Sequence, residues 1–318
     1  MFDTPILIIV FNRLDTTEQV LAKIREVKPL YLYVSADGPR EGNEVDKIKC
    51  ENVRKFIIDN IDWKCEVKTL FHNKNLGCGL NPATAISWFF ENVEQGIILE
   101  DDCVPSISFF NFCGNLLDKY KDHENIYMIS GNNFQNKVYG NASYFFSEYG
   151  HIWGWATWRR AWKKFNYSID NINEKRLQNN LQNIFSTNEQ RKYSYAIFKK
   201  LKADFKNDIW DYQWHITIWL NNGICITPNK NLVTNIGFNN NGTHTLSEIQ
   251  GVSNKKSEPL ENIKHPKKIK IQREADKYLF YKTNLLRYNP PKKKITLKGF
   301  LSKLKNIFIT NLKQLKIK

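Results

Sequence analysis

Residues 5–11, Pro5-Ile6-Leu7-Ile8-Ile9-Val10-Phe11, form an unbroken apolar run of strand length, which predicts a buried strand. Asp15-Thr16-Thr17-Glu18 follows, and an acid answered by Glu three positions on reads as a capping box that opens a helix. Val20, Leu21, Ile24 and Val27 recur at helical spacing and give that helix one apolar face. A second apolar run, residues 30–35, ends at Ala36-Asp37-Gly38-Pro39; a helix is predicted over 44–61 and a third strand over 65–71. Asn75-Leu76-Gly77-Cys78-Gly79 reads as a Gly-rich loop, and residues 82–93 as a helix with Pro82 near its first turn. The apolar stretch 96–99 then runs directly into Glu100-Asp101-Asp102. Strands alternating with helices in this way predict an α/β domain with a largely parallel sheet.

Such sheets bind ligands beyond the C-terminal ends of their strands. Three polar clusters fall there: Asn12-Arg13, Asp37 to Arg40, and Glu100-Asp101-Asp102. Far apart in sequence, they are expected along one rim. After residue 150 the alternation weakens. A Trp-rich segment (151–162) precedes an Asn/Gln/Lys-rich helical stretch to about residue 204. Trp210-Asp211-Tyr212-Gln213-Trp214 then leads into a helix to Leu220, and a closing strand region spans 224–238.

Charge divides the chain in two. Residues 255–318 hold 19 Lys and Arg against 4 Asp and Glu, which is the whole of the net +15; the preceding 254 residues are neutral. The excess is therefore a property of the tail and not a nucleic-acid footprint on the body. With 42% hydrophobic residues the 318-residue chain can build a substantial core. Six scattered cysteines without a CxxC pair argue against a disulfide framework and a zinc site. No apolar run has membrane-span length and the first residues lack a signal-peptide pattern, so a cytoplasmic protein is expected.

Three consecutive carboxylates at a strand end repel one another and raise each other's pKa. A hard cation, Mn²⁺ or Mg²⁺, relieves that and leaves coordination positions for substrate phosphates. A plain solvated acidic turn is the alternative; the preceding apolar strand and the following Cys103-Val104-Pro105 favour the metal. Asp37 before Gly-Pro suits hydrogen bonds from a base or ribose, and equally an Asx turn. Asn75 and Gly77 precede a helix N-terminus, a natural neighbour for phosphate or ribose, although ordinary turns look the same. In the series Trp153, Trp155, Trp158 and Trp162 some members belong to the core, while Trp155 beside Gly154 could instead form a wall for a sugar ring.

The segments Phe11-Asn12-Arg13, Ala36-Asp37-Gly38-Pro39-Arg40, Leu99 to Pro105, and His151 to Arg160 together resemble bacterial glycosyltransferase-like proteins of the GT-A fold. These look distantly similar to the animal N-acetylglucosaminyltransferase that initiates complex N-glycans. The resemblance spans roughly residues 5–245. It implies a Rossmann-like, mixed but mostly parallel sheet flanked by helices over 1–250. The nucleotide-binding half would be 1–105, the acceptor half 106–250, and residues 251–318 a basic, partly helical extension. It implies Mn²⁺ (or Mg²⁺) with Asp102 as direct ligand, Glu100 and Asp101 in support, and a nucleotide-sugar donor, UDP-linked by analogy. Asn12, Arg13, Asp37, Arg40, Asn75, Gly77 and Trp155 would line the donor site. Trp210-Asp211-Tyr212-Gln213-Trp214 matches a Trp-Asp-Asp-Trp segment that supplies the base; Tyr212 replaces the second acid, so only Asp211 carries over, as the base of an inverting displacement. His244, in Gly242-Thr243-His244, would complete the metal shell.

From Pro291 onward nine lysines and no acid accompany Leu304, Ile307, Phe308, Leu312 and Leu315. A basic amphipathic helix of this kind suits an anionic membrane surface, or a packed helix with a lysine face. The first suits a glycan or glycolipid acceptor; nucleic acid is not an expected partner. Two rival functions stand beside the transferase. A sugar nucleotidyltransferase would need a basic Gly-rich phosphate loop near the N-terminus, which Phe11-Asn12-Arg13-Leu14-Asp15 is not. A membrane-docked binding protein would have kept the fold without turnover.

Overall fold

A computed structural model of the chain describes residues 2–203, 209–238 and 254–283. The elements run β1 (Ile6–Val10), α1 (Leu14–Val27), β2 (Tyr31–Ala36), α2 (Glu44–Asp59), β3 (Glu66–Phe71), α3 (Gly77–Asn92) and β4 (Gln95–Glu100). They continue as β5 (Cys103–Pro105), α4 (Ile107–Lys119), β6 (Ile126–Ser130), β7 (Tyr144–Ser147), β8 (Trp155–Trp158) and α5 (Arg159–Trp162). The last are α6 (Glu174–Ile184), α7 (Asn188–Ala203), α8 (Asp211–Leu220), β9 (Ile224–Pro228), β10 (Val233–Asn235) and α9 (Arg273–Thr283).

Eight strands form one sheet in the order β3-β2-β1-β4-β8-β6-β9-β7, and β5 pairs with β10 in a small second sheet. The first four strands are mutually parallel. β8 enters antiparallel between β4 and β6, β9 returns parallel to β6, and β7 closes the edge antiparallel. The alternating pattern predicted a largely parallel α/β sheet, and the mixed, helix-flanked architecture is the one the resemblance implied.

The unbroken apolar run of β1 follows from burial on both faces. Ile6, Ile8 and Val10 join the core with Val20, Leu21 and Ile24 of α1, Val53 and Ile57 of α2, and the Phe-rich face of α4. Side chains alternate along a strand, so Leu7 and Ile9 face the other way. On β2, the neighbouring Tyr33 packs edge-on against Phe89 of α3.

Two helix starts differ from the sequence reading. α1 begins at Leu14 with Arg13 in the N-cap position and no side-chain cap, so Asp15 lies inside the first turn instead of capping it. The hydroxyl of Thr17 donates to the Arg13 carbonyl at 2.6 Å. α3 begins at Gly77, five positions before the expected start, with Pro82 inside it. Gly77 has φ +83°, a conformation that glycine adopts without penalty.

Among the described residues, those from Phe2 to Tyr278 belong to one compact unit and residues 279–283 to a second. Residues 254–278 belong to the first unit. The amide of Glu258 donates to the Asn231 carbonyl at 2.7 Å, and Gln272 to Phe146 at 2.8 Å. No helix among the described residues is long and apolar enough to cross a membrane. The stretch from Pro291 onward lies outside the described residues.

Candidate functional site

Because β2, β1 and β4 are adjacent and parallel, Asp37, Asn12-Arg13 and the acidic triplet emerge along one edge. In register, Val10 stands opposite Ala36, and Ile9 opposite Glu100. The chain leaves β4 through a turn at Asp101-Asp102 and enters β5, whose partner β10 brings Asn235 up to the same place.

Arg13 is the cation of this cluster. Its Nη2 donates to Asp101 Oδ1 and, at 3.0 Å, to Asp102 Oδ2, while Nε reaches Asp101 Oδ2 at 3.3 Å. Burial alone would lower the Arg13 pKa, but the charges and hydrogen bonds of Asp101 and Asp102 outweigh it and raise the value. Asp101 is buried, and its carboxyl is pushed up to about 6, by desolvation first, with Arg13 opposing and Asp102 reinforcing. Half-buried Glu100 is pushed to about 8, by desolvation and then by Asp102 and Asp101. Asp211, at the start of α8, lies close enough for its charge to add to that push. Asp211, 111 positions from Glu100, is thus near enough to be felt there, while Arg13 pairs with Asp101 and Asp102.

Asp102 is held from the side of β10. Asn235 Nδ2 donates to its Oδ1 at 3.3 Å, and the amide of Ile236 donates to its carbonyl at 2.9 Å. Gly237 packs so closely that a Cβ there would lie 2.1 Å from Asp102 Oδ2. Neither Asn235 nor Gly237 carries a sequence signal, since a three-residue strand pairing with β5 sets their position.

Other expected site residues bond within the fold. Asp37 is buried, and its carboxylate accepts from the amides of Gly38 (2.8 Å), Leu76 (2.8 Å) and Gly77 (3.1 Å) and from Asn75 Nδ2 (3.0 Å). Desolvation raises its pKa while these amides hold it down. Asp37, Asn75 and Gly77 thus join the end of β2 to the first turn of α3. Asn12 and Arg40 converge on buried Asp46 in the first turn of α2, a residue the sequence reading did not single out. The Arg40 hydrogen bond is the main cause that lowers the Asp46 pKa.

Trp155 is corrected from sugar wall to core. It is 0% exposed and stacks on Trp210 at 5.8 Å, with Trp214 at 5.9 Å. Trp158 and Trp162 are buried too, their indole N–H groups donating to the Leu117 carbonyl and Ser87 Oγ. Half-buried Trp153 instead lies edge-on to Phe238 at 5.2 Å, one residue beyond Gly237. His215, on the same helix as Asp211, bridges the carbonyls of Asp211 (2.9 Å) and Gly150 (3.0 Å) and so ties the start of α8 to the loop before β8. His244 lies outside the described residues.

No protein-family model matches the chain, and no curated protein matches it. Among solved structures it is similar to HddC from Yersinia pseudotuberculosis, at 11% identity and a TM-score of 0.29, covering 49% of this chain and 77% of that one. A 4-diphosphocytidyl-2C-methyl-D-erythritol synthase from Anaerococcus prevotii gives 10% identity and a TM-score of 0.34 over 54% and 78%. A UDP-glucose pyrophosphorylase complexed with UDP-glucose gives 10% and 0.36 over 71% and 90%. These TM-scores are too low to carry an inference about activity.

Proposed function

We propose that the chain is a metal-dependent glycosyltransferase that moves a sugar from a nucleotide-sugar, UDP-linked by resemblance, to a saccharide or lipid-linked glycan. The observation that carries this reading is the pairing of Arg13 with Asp101 and Asp102 beside Glu100 at the end of β4, where Glu100 also feels the charge of Asp211. A carboxylate that can take a proton stands near a cluster suited to a diphosphate and its cation.

The cluster suits Mn²⁺ or Mg²⁺ in charge, because Glu100, Asp101 and Asp102 stand together with Arg13 as their cation; burial first, and then the charges of Asp102 and Asp101, push Glu100 up to about 8. Among the described residues no three His, Cys, Asp or Glu side chains are grouped to hold an ion unaided. Magnesium-type sites commonly use one or two carboxylates and complete the shell with phosphate oxygens and water. Asp102 is the residue for that task, with His244 a further candidate. The ion, when bound, would supply electrostatic stabilisation of the departing nucleoside diphosphate.

The chain's own residues do the rest. Asp101 keeps Arg13 at the rim, Asn235 orients Asp102, and Asp211 accepts the proton of the acceptor hydroxyl as that oxygen attacks the anomeric carbon. Inversion follows from direct displacement. Half-buried Trp153 replaces Trp155 as the aromatic surface for a sugar. The lysine-rich stretch beyond residue 290 suits an anionic membrane surface and an acceptor held there.

The test is Asp211→Asn, assayed by nucleotide release from a panel of UDP-, GDP- and CMP-sugars with Mn²⁺. Loss of a base is expected to lower release by about 100-fold or more, with UDP affinity unchanged. Wild-type turnover in this variant would contradict the assignment.

A further inference from the structure

α8 starts at Asp211 behind Trp210, which gives it no side-chain cap. A residue one turn further on holds that start instead. His215 places Nδ1 at 2.9 Å from the Asp211 carbonyl oxygen and Nε2 at 3.0 Å from the Gly150 carbonyl oxygen. Carbonyl oxygens only accept, so each contact needs an N–H on the ring. A neutral imidazole has one N–H and one bare nitrogen, and the bare one would set its lone pair against an oxygen at hydrogen-bond distance. Both contacts form together only on the imidazolium, whose two nitrogens are both donors.

The far end of this bridge is fixed. A Cβ at Gly150 would lie 2.5 Å from Met128 Sδ and 3.3 Å from Cys225 Sγ, so the backbone there sits down on β6 and β9. On either side, Trp219 Nε1 donates to the Glu148 carbonyl at 3.3 Å and the amide of His151 donates to Ser130 Oγ at 3.0 Å. The loop is not free to follow the ring if it withdraws. Beyond His151 it carries Trp153 and enters β8.

The surroundings tolerate one positive charge. Asp211 is on the same helix, and the Trp219 ring lies 5.9 Å from the imidazole, within the range at which an indole attracts a cation. Burial first, and then the charge of His215, push His151 down to about 3, so it stays neutral and adds no second cation. Behind the loop stand Glu148, paired with Arg273, and Asp276 of α9, which accepts from the Glu148 amide.

We infer that His215 is a positioning residue that acts as an imidazolium latch, donating from both ring nitrogens to tie the start of α8, with Asp211, to the loop that carries Trp153. The use of this tie in turnover rests on the function proposed above; the two-donor contact does not. The second ring proton joins the two elements, so the latch is closed at low pH and opens as pH rises through the ring's own titration. An open latch leaves Asp211 less well placed against the sugar surface, which lowers kcat without a matching change in KM for the donor.

The first measurement is heteronuclear NMR of the imidazole nitrogens of the full chain between about pH 5 and pH 8. It reads double protonation directly and needs no variant beyond one for assignment. His215 should be doubly protonated at the lower end; a ring that is neutral throughout overturns the inference. Two variants then separate the two contacts. A Gln amide reaches the place of Nε2 and keeps the bond to Gly150 without titrating, whereas an Asn amide reaches only the place of Nδ1 and loses it. His215→Gln should keep kcat within a few-fold of wild type and lose the part of the pH profile that follows the NMR titration. His215→Asn should lower kcat about tenfold or more and speed amide exchange over residues 150–154. Glu148 and Asp276 also titrate near neutral pH, so the informative quantity is the difference between wild type and the Gln variant at each pH. Equal behaviour of the Gln and Asn variants would overturn the latch. If the wild-type chain turns over no sugar donor, NMR and exchange still decide: double protonation, with faster exchange in the Asn variant alone, keeps the latch and sinks only the transferase reading.

Discussion

Replacing Asp276 by Asn should remove a pH dependence of stability that the structure builds in beside β7. Asp276 is 1% exposed and accepts from Ser147 Oγ at 2.6 Å and from the Glu148 amide at 3.0 Å. Desolvation holds its carboxyl at about 7 against an ordinary 3.8, and Ser147, the Glu148 amide and Arg273 only partly offset it. Buried Glu148 is pushed to about 8, by desolvation and then by Asp276, with Arg273 opposing at 3.2 Å. Tyr139, Tyr149 and Cys225 also feel the Asp276 charge, and none supplies a cation.

A folded-state pKa above the unfolded value means that the folded chain binds more protons between the two. The stabilisation is therefore fully present below pH 3.8 and is lost as pH rises through about 7. Three units at 1.36 kcal/mol each give about 4 kcal/mol in all, of which about 2.5 kcal/mol is lost between pH 5 and pH 8. Asn preserves the acceptor for the Glu148 amide and can donate to Ser147, but cannot ionise. The melting temperature of the variant relative to wild type should rise by roughly 4 °C between pH 5 and pH 8. Glu100 and Asp101 shift in the same direction, so the difference between the two proteins is the informative quantity. A melting difference that does not change between pH 5 and pH 8 would refute the reasoning.

Two further substitutions separate scaffold from site. Gly237→Ala places a methyl carbon 2.1 Å from Asp102 Oδ2, so the carboxylate or its loop must move. The expected cost is about 1–3 kcal/mol, with weakened Mn²⁺-dependent UDP binding by calorimetry; unchanged binding would remove Asp102 from the donor site. Asp37→Ala strands the amides of Leu76 and Gly77, at about 2–4 kcal/mol in denaturant unfolding. The protein that remains folded should still bind UDP, whereas normal stability with lost binding would assign Asp37 to the donor site.

The body of the sheet was legible because its signals are local. The apolar runs of β1, β2 and β4, and the one-sided spacing of Val20, Leu21 and Ile24, state burial on their own. The shared edge of Arg13, Asp37 and the acidic triplet followed from topology alone, since parallel strands place their C-terminal ends together. Partner choice was not legible. That the amides of Leu76 and Gly77 donate to Asp37 has no local sequence signal. Asp15 loses the cap because Arg13, drawn to Asp101 and Asp102, takes the N-cap position. Trp155 lies in β8, buried beside Trp210 and Trp214, a contact set by the return of α8 from far along the chain. Asn235 and Gly237 reach Asp102 through the pairing of β5 with β10, across more than a hundred residues.

Calorimetric titration of UDP, GDP and CMP with and without Mn²⁺ probes the proposed nucleotide–metal site at the end of β4. UDP binding that needs Mn²⁺ and disappears in Asp102→Ala, while the variant keeps its fold, is the expected result. Failure of every nucleotide to bind, with or without the cation, would contradict it.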